Sequence, residues 1–212
     1  MEAEHEIQGL RFWAGDPTVR LLEADETRNA MLLERCEPDT HLRSLSEPEQ
    51  DVVIAGLLRR IWRPAPSPNP FRPLAEMTTR WAAETLDAQA SWGDEGIVRE
   101  GLRLLEELPP TARVEMVLAT DLHAGNVLRA EREPWLVIDP KPFVGDSAYD
   151  ATQHLFNCKR LDAKPLETIH RFADMLDLDA DRVGVWVFAR AATGCRGEPD
   201  EWTAALGRSL PL

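Results

Sequence analysis

Apolar residues recur at intervals of three and four in several stretches of the chain, and each such stretch predicts a helix with one buried face. The first stretch runs from Glu2 to Trp13 and ends at the turn 14–17, which contains glycine and proline. The second follows Ser46-Glu-Pro-Glu49, a capping-box pattern, and continues to about Trp62. Further helices are predicted at residues 74–90, 95–108, 149–158, 166–176, 182–192 and 199–206.

Short apolar runs predict a small amount of β structure between these helices. Residues 19–22 and 31–34 flank the polar turn 25–29, and the three segments together predict a hairpin. Other strands are predicted at residues 114–118, 126–129 and 135–138. Residues 64–73 include five prolines, too many missing backbone donors for a helix or a central strand, so this segment is predicted to be an extended connector.

Composition narrows the class of protein. The 212 residues suffice for a buried core, in either one large domain or one domain plus a fragment of another. Asp and Glu number 37 against 24 Lys and Arg, a net charge of −13 that argues against nucleic acid and anionic membranes and favours a cationic partner. The cysteines, Cys36, Cys158 and Cys195, form no Cys-x-x-Cys pair, so neither a disulfide framework nor a zinc site is predicted. An acidic N-terminus and the lack of a long apolar run predict a cytoplasmic protein.

Three side chains with oxygen atoms gather in the stretch 119–139. Asp121 and Asn126 lie in a polar segment between two apolar runs, and Asp139 follows the second run, directly before a proline. Phosphoryl transfer requires a carboxylate that orients a hydroxyl and hard oxygen ligands for Mg²⁺, which these residues supply. The alternatives are turn roles: Asp121 as an aspartate that caps its own backbone, Asn126 as a residue with positive φ, and Asp139 in an Asp-Pro turn.

Two segments carry a resemblance to a known family. Thr120-Asp-Leu-His-Ala-Gly-Asn-Val-Leu128 and Ile138-Asp-Pro-Lys-Pro142 resemble the catalytic loop and the metal-binding segment of the aminoglycoside phosphotransferase family, in particular of its streptomycin and hydroxyurea resistance kinases. The resemblance implies an α+β, protein-kinase-like fold, in which residues 1–36 are a remnant of the N-terminal lobe and residues 37–212 form a helical C-terminal lobe. It also implies an enzyme that uses ATP and Mg²⁺ to phosphorylate a hydroxyl of a small cationic sugar such as streptomycin.

The same resemblance assigns roles near the catalytic loop. Asp121 is expected to act as the catalytic base, and Asn126 and Asp139 are expected to bind Mg²⁺. Asp150 is expected to buttress the loop, although an acid that stabilises the start of its own helix is the competing interpretation. His123 is expected to order the loop or to face the substrate rather than to act as a base.

Three further residues are assigned to the nucleotide. The backbones of Glu34 and Cys36 match the hinge that binds adenine, and Glu6, with Glu4 as a near alternative, matches the helix glutamate that pairs with a phosphate-binding lysine. An ordinary edge strand and a solvated surface are the competing interpretations. Neither a glycine-rich loop nor a strand lysine precedes Glu6 in this sequence. We therefore expect an N-terminally incomplete kinase with weak activity, or a kinase-like segment that only binds substrate or nucleotide.

Two features leave other chemistry open. Lys141, two residues after Asp139, is expected to pair either with that aspartate or with a phosphate. A metal-dependent hydrolase built on Asp121, His123 and Asp139 is the remaining alternative class. The other histidines are scattered along the chain at positions 5, 41, 154 and 170, which gives a zinc enzyme little support.

Overall fold

The structure is a computed structural model that describes residues 2–37, 40–194 and 201–211. Its helices are α1 (Glu2–Trp13), α2 (Glu47–Ile61), α3 (Leu74–Asp87), α4 (Glu95–Glu107), α5 (Ser147–Leu155), α6 (Arg160–Ala163), α7 (Pro165–Leu176), α8 (Ala180–Gly194) and α9 (Glu201–Ser209). Its strands are β1 (Leu21–Asp25), β2 (Ala30–Leu33), β3 (Arg72–Pro73), β4 (Glu115–Leu118), β5 (Val127–Leu128), β6 (Leu136–Val137) and β7 (Phe143–Asp146).

Helix α1 has the bounds and the buried face that its sequence pattern predicts. Ile7, Leu10 and Trp13 are each 1% exposed, and the chain leaves the helix through Ala14 and Gly15, which both have positive φ. A left-handed residue just after a helix is a common way to end it. The predicted hairpin forms as the antiparallel pair β1–β2, but it begins at Leu21 rather than at residue 19.

The correction at residue 19 has a structural cause. The Val19 backbone N–H donates to the carbonyl oxygen of Val137 at 3.0 Å, so this part of the chain pairs with β6 and not with β2. Val19 also packs with Leu10, Cys36 and Leu136 in a small apolar cluster, separate from the main core. The N-terminal segment is thereby attached to the strand that leads to Asp139. The division of the chain at residues 36 and 37 stays a prediction.

Strands β3, β7 and β4 form a three-stranded sheet in the order β3-β7-β4. Strand β7 is parallel to β3 and antiparallel to β4. Its formation was not predicted, because it contains Gly145 and Asp146, residue types that are rare in strands. The glycine has a packing role: a Cβ at position 145 would lie 2.5 Å from the Cβ of Leu74 at the start of α3. The predicted proline-rich connector is extended, and its last two residues form β3.

The main core lies among the helices that follow the hairpin. The capping-box pattern before α2 places the Glu49 carboxylate within 3.0 Å of the Ser46 backbone N–H, which donates to it. Helix α3 packs against α4, as predicted, and α4 crosses α8 where Gly101 faces Ala192. Helix α6 was not predicted, because a single turn carries too little periodicity. The last helix begins at Glu201 in the described part, and its predicted start at residue 199 lies outside the described residues.

Candidate active site

Strand β4 and the β5–β6 hairpin bring the three predicted oxygen-bearing side chains together. β4 ends at Leu118, directly before the loop that carries Asp121. The Ile138 backbone N–H donates to the Asn126 carbonyl oxygen at 2.9 Å, so the hairpin places Asp139 beside Asn126. The Asn126 side-chain amide donates to the backbone oxygen of Asp121 at 3.0 Å. The structure thus groups the predicted base and both predicted Mg²⁺ ligands at one site.

Asn126 does not have the positive φ that one sequence interpretation gave it. The residue ends a short 3-10 turn, Ala124–Asn126, whereas Thr120 and Asp139 have φ values of 53° and 50°. The left-handed conformation is strained for a β-branched residue such as threonine. Thr120 is held there by two hydrogen bonds: its N–H donates to Asp150, and its hydroxyl donates to the Lys141 carbonyl oxygen at 2.6 Å. Backbone strain of this kind is typical of functional loops.

Asp150 connects helix α5 to this loop. Its carboxylate is completely buried and accepts hydrogen bonds from the backbone N–H groups of Ala119 at 3.0 Å and Thr120 at 2.7 Å, and from the Trp62 indole at 2.9 Å. Burial raises the pKa of the Asp150 carboxyl, while the three donors oppose that rise. The cap of α5 is formed by Asp146 instead, which accepts from the Ala148 N–H. These contacts favour the buttress interpretation of Asp150.

Both oxygens of the Asp121 carboxylate are held by side-chain donors. Lys141 Nζ lies 2.8 Å from Oδ2, and Gln153 Nε2 lies 2.9 Å from Oδ1. Arg190 donates to the Gln153 Oε1 at 2.8 Å, which turns the amide nitrogen of Gln153 toward Asp121. Sequence reasoning missed Gln153 and Arg190. The available signal was the position of Gln153 three residues after Asp150, on the same face of α5.

His123 is positioned to order the loop. Its Nδ1 accepts a hydrogen bond from the Gly125 N–H at 3.0 Å, so the neutral ring carries its proton on Nε2. That nitrogen lies 4.0 Å from Asp121 Oδ1. Burial lowers the pKa of the ring, and the nearby Asp121 carboxylate opposes the change. A neutral histidine whose Nδ1 is engaged offers the site a donor rather than a base, in agreement with the expected loop-ordering or substrate-facing role.

The donor set fits a hard divalent cation. The Asn126 amide nitrogen is used as a donor to Asp121, which leaves Oδ1 as the ligand atom, and the Asp139 side chain is 50% exposed. Carboxylate and amide oxygens are the ligands that Mg²⁺ prefers. The Lys141 ammonium bridges Asp121 and Asp139, at 2.8 and 3.4 Å, and so shows that positive charge is accommodated between them. Asn126 and Asp139 are therefore the residues that would hold Mg²⁺.

Helix α1 places Glu6 beside this group. Gly9, one turn later, lets the helix approach the loop, since a Cβ there would lie 3.0 Å from the Cγ of Pro142. Burial raises the pKa of the Glu6 carboxyl to about 7; the charge of Asp139 adds to the rise and that of Lys141 opposes it. The charge of Asp139 therefore influences Glu6, and the predicted role of Glu6 at the nucleotide stays a prediction.

The raised pKa predicts how a Glu6→Gln substitution changes stability with pH. A pKa of about 7 in the folded protein exceeds the ordinary value of 4.5, so the folded state binds this proton more tightly. Stability is therefore lost as pH rises from about 4.5 to about 7, and Gln removes that loss. We expect the variant to raise Tm more at pH 8 than at pH 5.5, measured by circular dichroism in EDTA.

Glu4 supplies the matched control for this experiment, because it is exposed on the same helix. Glu4→Gln is expected to leave Tm nearly unchanged at both pH values. An equal gain in Tm at the two pH values for Glu6→Gln would contradict the pKa argument.

The predicted hinge residues differ in what they offer a nucleotide. The Glu34 backbone N–H donates to the Arg20 carbonyl oxygen at 2.9 Å, so its carbonyl oxygen is the group left for adenine. The Glu34 side chain accepts from Arg132 at 2.9 and 2.8 Å, and this pairing lowers the pKa of the carboxyl. Cys36 is buried in the small cluster that also contacts Ile138, directly before Asp139. The adenine contact itself remains a prediction.

A second group of titratable residues lies outside this site. Asp51, His154 and Cys158 are buried, and their ligand atoms lie within 4.8 Å of one another. Arg160 donates to both Asp51 oxygens at 2.8 Å, and burial raises the pKa of the Cys158 thiol to about 12. Because Arg160 occupies both oxygens of the Asp51 carboxylate, this group forms a buried ion-pair network.

Comparison with known proteins identifies the family. A model of the family described as aminoglycoside/hydroxyurea antibiotic resistance kinase matches residues 1–197. The chain belongs to this family. Streptomycin 6-kinase of Streptomyces griseus is 37% identical over an alignment of 212 positions that covers 95% of this chain and 68% of that protein. Hydroxyurea phosphotransferase of Kitasatospora aureofaciens is 34% identical over an alignment of 214 positions that covers 97% of this chain and 61% of that protein. The chain therefore spans about two thirds of the length of these relatives.

A solved structure agrees with the family assignment. The chain is similar to an aminoglycoside phosphotransferase in a ternary complex with ADP and hygromycin B, with a TM-score of 0.59 at 16% identity, over 98% of this chain and 83% of that one. Family membership and this likeness confirm the predicted resemblance, the α+β protein-kinase-like fold and the assignment to the ATP-dependent phosphotransferases. The roles of individual residues in this resistance kinase stay predictions.

Proposed function

We propose that this member of the resistance kinase family transfers the γ-phosphate of ATP to a hydroxyl of an aminoglycoside such as streptomycin. The observation that carries the proposal is the grouping of Asp121, Asn126 and Asp139 on the catalytic loop and the β5–β6 hairpin. The identity of 37% to a streptomycin 6-kinase supports the substrate class.

In this proposal Asp121 receives the substrate hydroxyl. Its side chain is 24% exposed. Oδ2 accepts from both Lys141 and Asn126, whereas Oδ1 accepts from Gln153 and keeps a lone pair for the hydroxyl. We infer that the hydroxyl donates its proton to Asp121 as the new bond from its oxygen to the γ-phosphorus forms and the bond from that phosphorus to the leaving ADP oxygen breaks. Mg²⁺ held by Asn126 and Asp139 would supply neutralisation of the phosphate charge.

Charge supports a cationic sugar over a neutral substrate. The net charge of −13 attracts polycations at long range, whereas hydroxyurea, the neutral substrate named for one relative, gains nothing from it. No helix among the described residues is long and apolar enough to cross a membrane. A cytoplasmic location, where ATP is available, and the absence of nucleic-acid and membrane partners are part of the proposal.

A labelling assay tests this function. The 212-residue polypeptide, radiolabelled ATP and Mg²⁺ are incubated with streptomycin, other aminoglycosides, neutral polyols and hydroxyurea, and a thermal-shift panel with the same compounds measures binding. We expect labelled streptomycin and a rise in Tm with streptomycin. Turnover is expected to be slow, since these residues contain no glycine-rich phosphate loop.

The outcomes separate the candidate functions. Binding of both streptomycin and Mg²⁺-nucleotide without labelled product would support the non-catalytic alternative. Labelling of hydroxyurea alone would contradict an aminoglycoside substrate and would indicate hydroxyurea, the substrate named for one relative. Neither binding nor labelling with any compound would contradict the proposal.

A further inference from the structure

The Lys141 side chain lies at the centre of the proposed site. Its ammonium is 2.8 Å from Asp121 Oδ2 and 3.4 Å from Asp139 Oδ2, and the side chain is 34% exposed. Glu6 is close enough to sense its charge, because Lys141 opposes the rise of the Glu6 pKa. One lysine therefore contacts two carboxylates, those of the expected base and of the expected metal ligand.

The backbone of Lys141 is held by hydrogen bonds, whereas its ammonium is held only through a flexible side chain. The Lys141 N–H donates to the Ala119 carbonyl oxygen at 2.9 Å, and its own carbonyl oxygen accepts from the Thr120 hydroxyl at 2.6 Å. Pro140 and Pro142 flank it and restrict the backbone further. The flexible four-carbon side chain can thus relocate the ammonium without any change in the loop.

A cation bound to Asp139 and the Lys141 ammonium compete for the same carboxylate. Mg²⁺ ligands lie about 2.0–2.1 Å from the ion, a distance that brings the metal into the space beside the Asp139 oxygens. Two positive charges a few ångströms apart repel each other strongly near a protein surface. The lysine contact with Asp139 is therefore incompatible with a metal on the same oxygen.

We propose that Lys141 is a placeholder cation: it neutralises Asp121 and Asp139 in the metal-free site, releases Asp139 when a divalent metal binds, and then contacts the transferred phosphoryl group. The first step concerns metal binding alone. The last step rests on the proposed function, since it requires a bound nucleotide.

A purely structural role explains the contacts of Lys141 with Asp121 and Asp139 less well than the placeholder role does. The loop is already held by backbone hydrogen bonds and by the buried Asp150, and a partly exposed ion pair adds little to stability. Its position between the expected base and the expected metal ligand indicates a role in charge balance. A lysine that left Asp139 would remain within reach of Asp121 and of a phosphate bound between the two aspartates.

Metal binding without nucleotide tests the first step. Mn²⁺, a spectroscopic substitute for Mg²⁺, is titrated into the 212-residue protein, and free Mn²⁺ is measured by electron paramagnetic resonance at constant ionic strength. Lys141→Met and Lys141→Gln are expected to bind Mn²⁺ about tenfold more tightly than the unmodified protein, because the competing charge is gone. Lys141→Arg keeps the charge and is expected to retain the original affinity.

Two controls make the result specific. Lys164→Met removes an exposed lysine that pairs with Glu167, away from the site, and is expected to leave Mn²⁺ affinity unchanged. Asp139→Asn in the Lys141→Met background is expected to abolish the gain. Equal or weaker Mn²⁺ binding by folded Lys141→Met and Lys141→Gln proteins, or a gain that survives Asp139→Asn, would overturn the placeholder role.

The nucleotide step predicts the opposite effect of the same substitution: Lys141→Met should weaken nucleotide binding, whereas it should strengthen metal binding. With saturating Mn²⁺, Lys141→Met is expected to bind the non-hydrolysable analogue AMP-PNP more weakly than the unmodified protein, in calorimetry. Equal affinities, or no binding by the unmodified protein, would overturn the phosphoryl contact and leave the Mn²⁺ result standing. Failure of streptomycin phosphorylation would count against the proposed function and not against the metal step.

Discussion

Asp121→Asn is expected to lower the rate of phosphate transfer by about 10²- to 10⁴-fold, the contribution typical of a positioned general base. Asparagine keeps the shape of the side chain but cannot accept the hydroxyl proton. Its amide NH₂ would also meet a donor, since Lys141 and Gln153 both donate to Asp121. The loss should fall on kcat more than on KM, because the base acts in the transition state. Single-turnover assays with radiolabelled ATP and streptomycin measure it.

Asp87→Asn is the matched control, because Asp87 is an exposed aspartate at the end of α3, outside the site. It is expected to keep the unmodified rate. Asp121→Ala should lose transfer as completely as Asp121→Asn. Unchanged turnover in either Asp121 variant would rule out Asp121 as the base and would favour its alternative role as a turn residue.

The helical part of the fold could be predicted because its periodicity is strong. Ile7, Leu10 and Trp13 repeat on one face of α1, and the Ser46–Glu49 pattern marks the start of α2. Local signals of this kind depend only on residues within one or two turns of each other. Strand β7 carries no such signal, because Gly145 is required by its packing against Leu74, a partner far away in the sequence.

In the candidate site, too, local patterns could be predicted from the sequence and long-range contacts could not. Asp121, Asn126 and Asp139 could be found from a local motif, and the structure groups them. The backbone conformation could not be predicted, since Thr120 and Asp139 have positive φ rather than Asn126, and Thr120 is stabilised by Asp150, thirty residues later. Long-range contacts of this kind leave no pattern in a single sequence.

Asp150→Ala is expected to destabilise the fold clearly, because each buried donor left without an acceptor costs about 1–3 kcal/mol. Three donors, the N–H groups of Ala119 and Thr120 and the indole of Trp62, would lose their acceptor inside the protein. The strained Thr120 would lose the bond that helps to hold its left-handed conformation, so transfer should fall along with stability. Urea unfolding followed by circular dichroism measures the free energy.

A double-mutant cycle distinguishes the loss of this acceptor from a general packing defect. Trp62→Phe removes one donor, so its cost in the Asp150→Ala background should be smaller than its cost alone, by an interaction energy of about 0.5–3 kcal/mol. Asp174→Ala, at an exposed position on α7, should change stability by no more than about 0.5 kcal/mol. If Asp150→Ala cost no more than this control, or if the Trp62 effects were additive, Asp150 would not be the buttress of the catalytic loop. In that case its place in the first turn of α5 would be explained by the helix dipole alone.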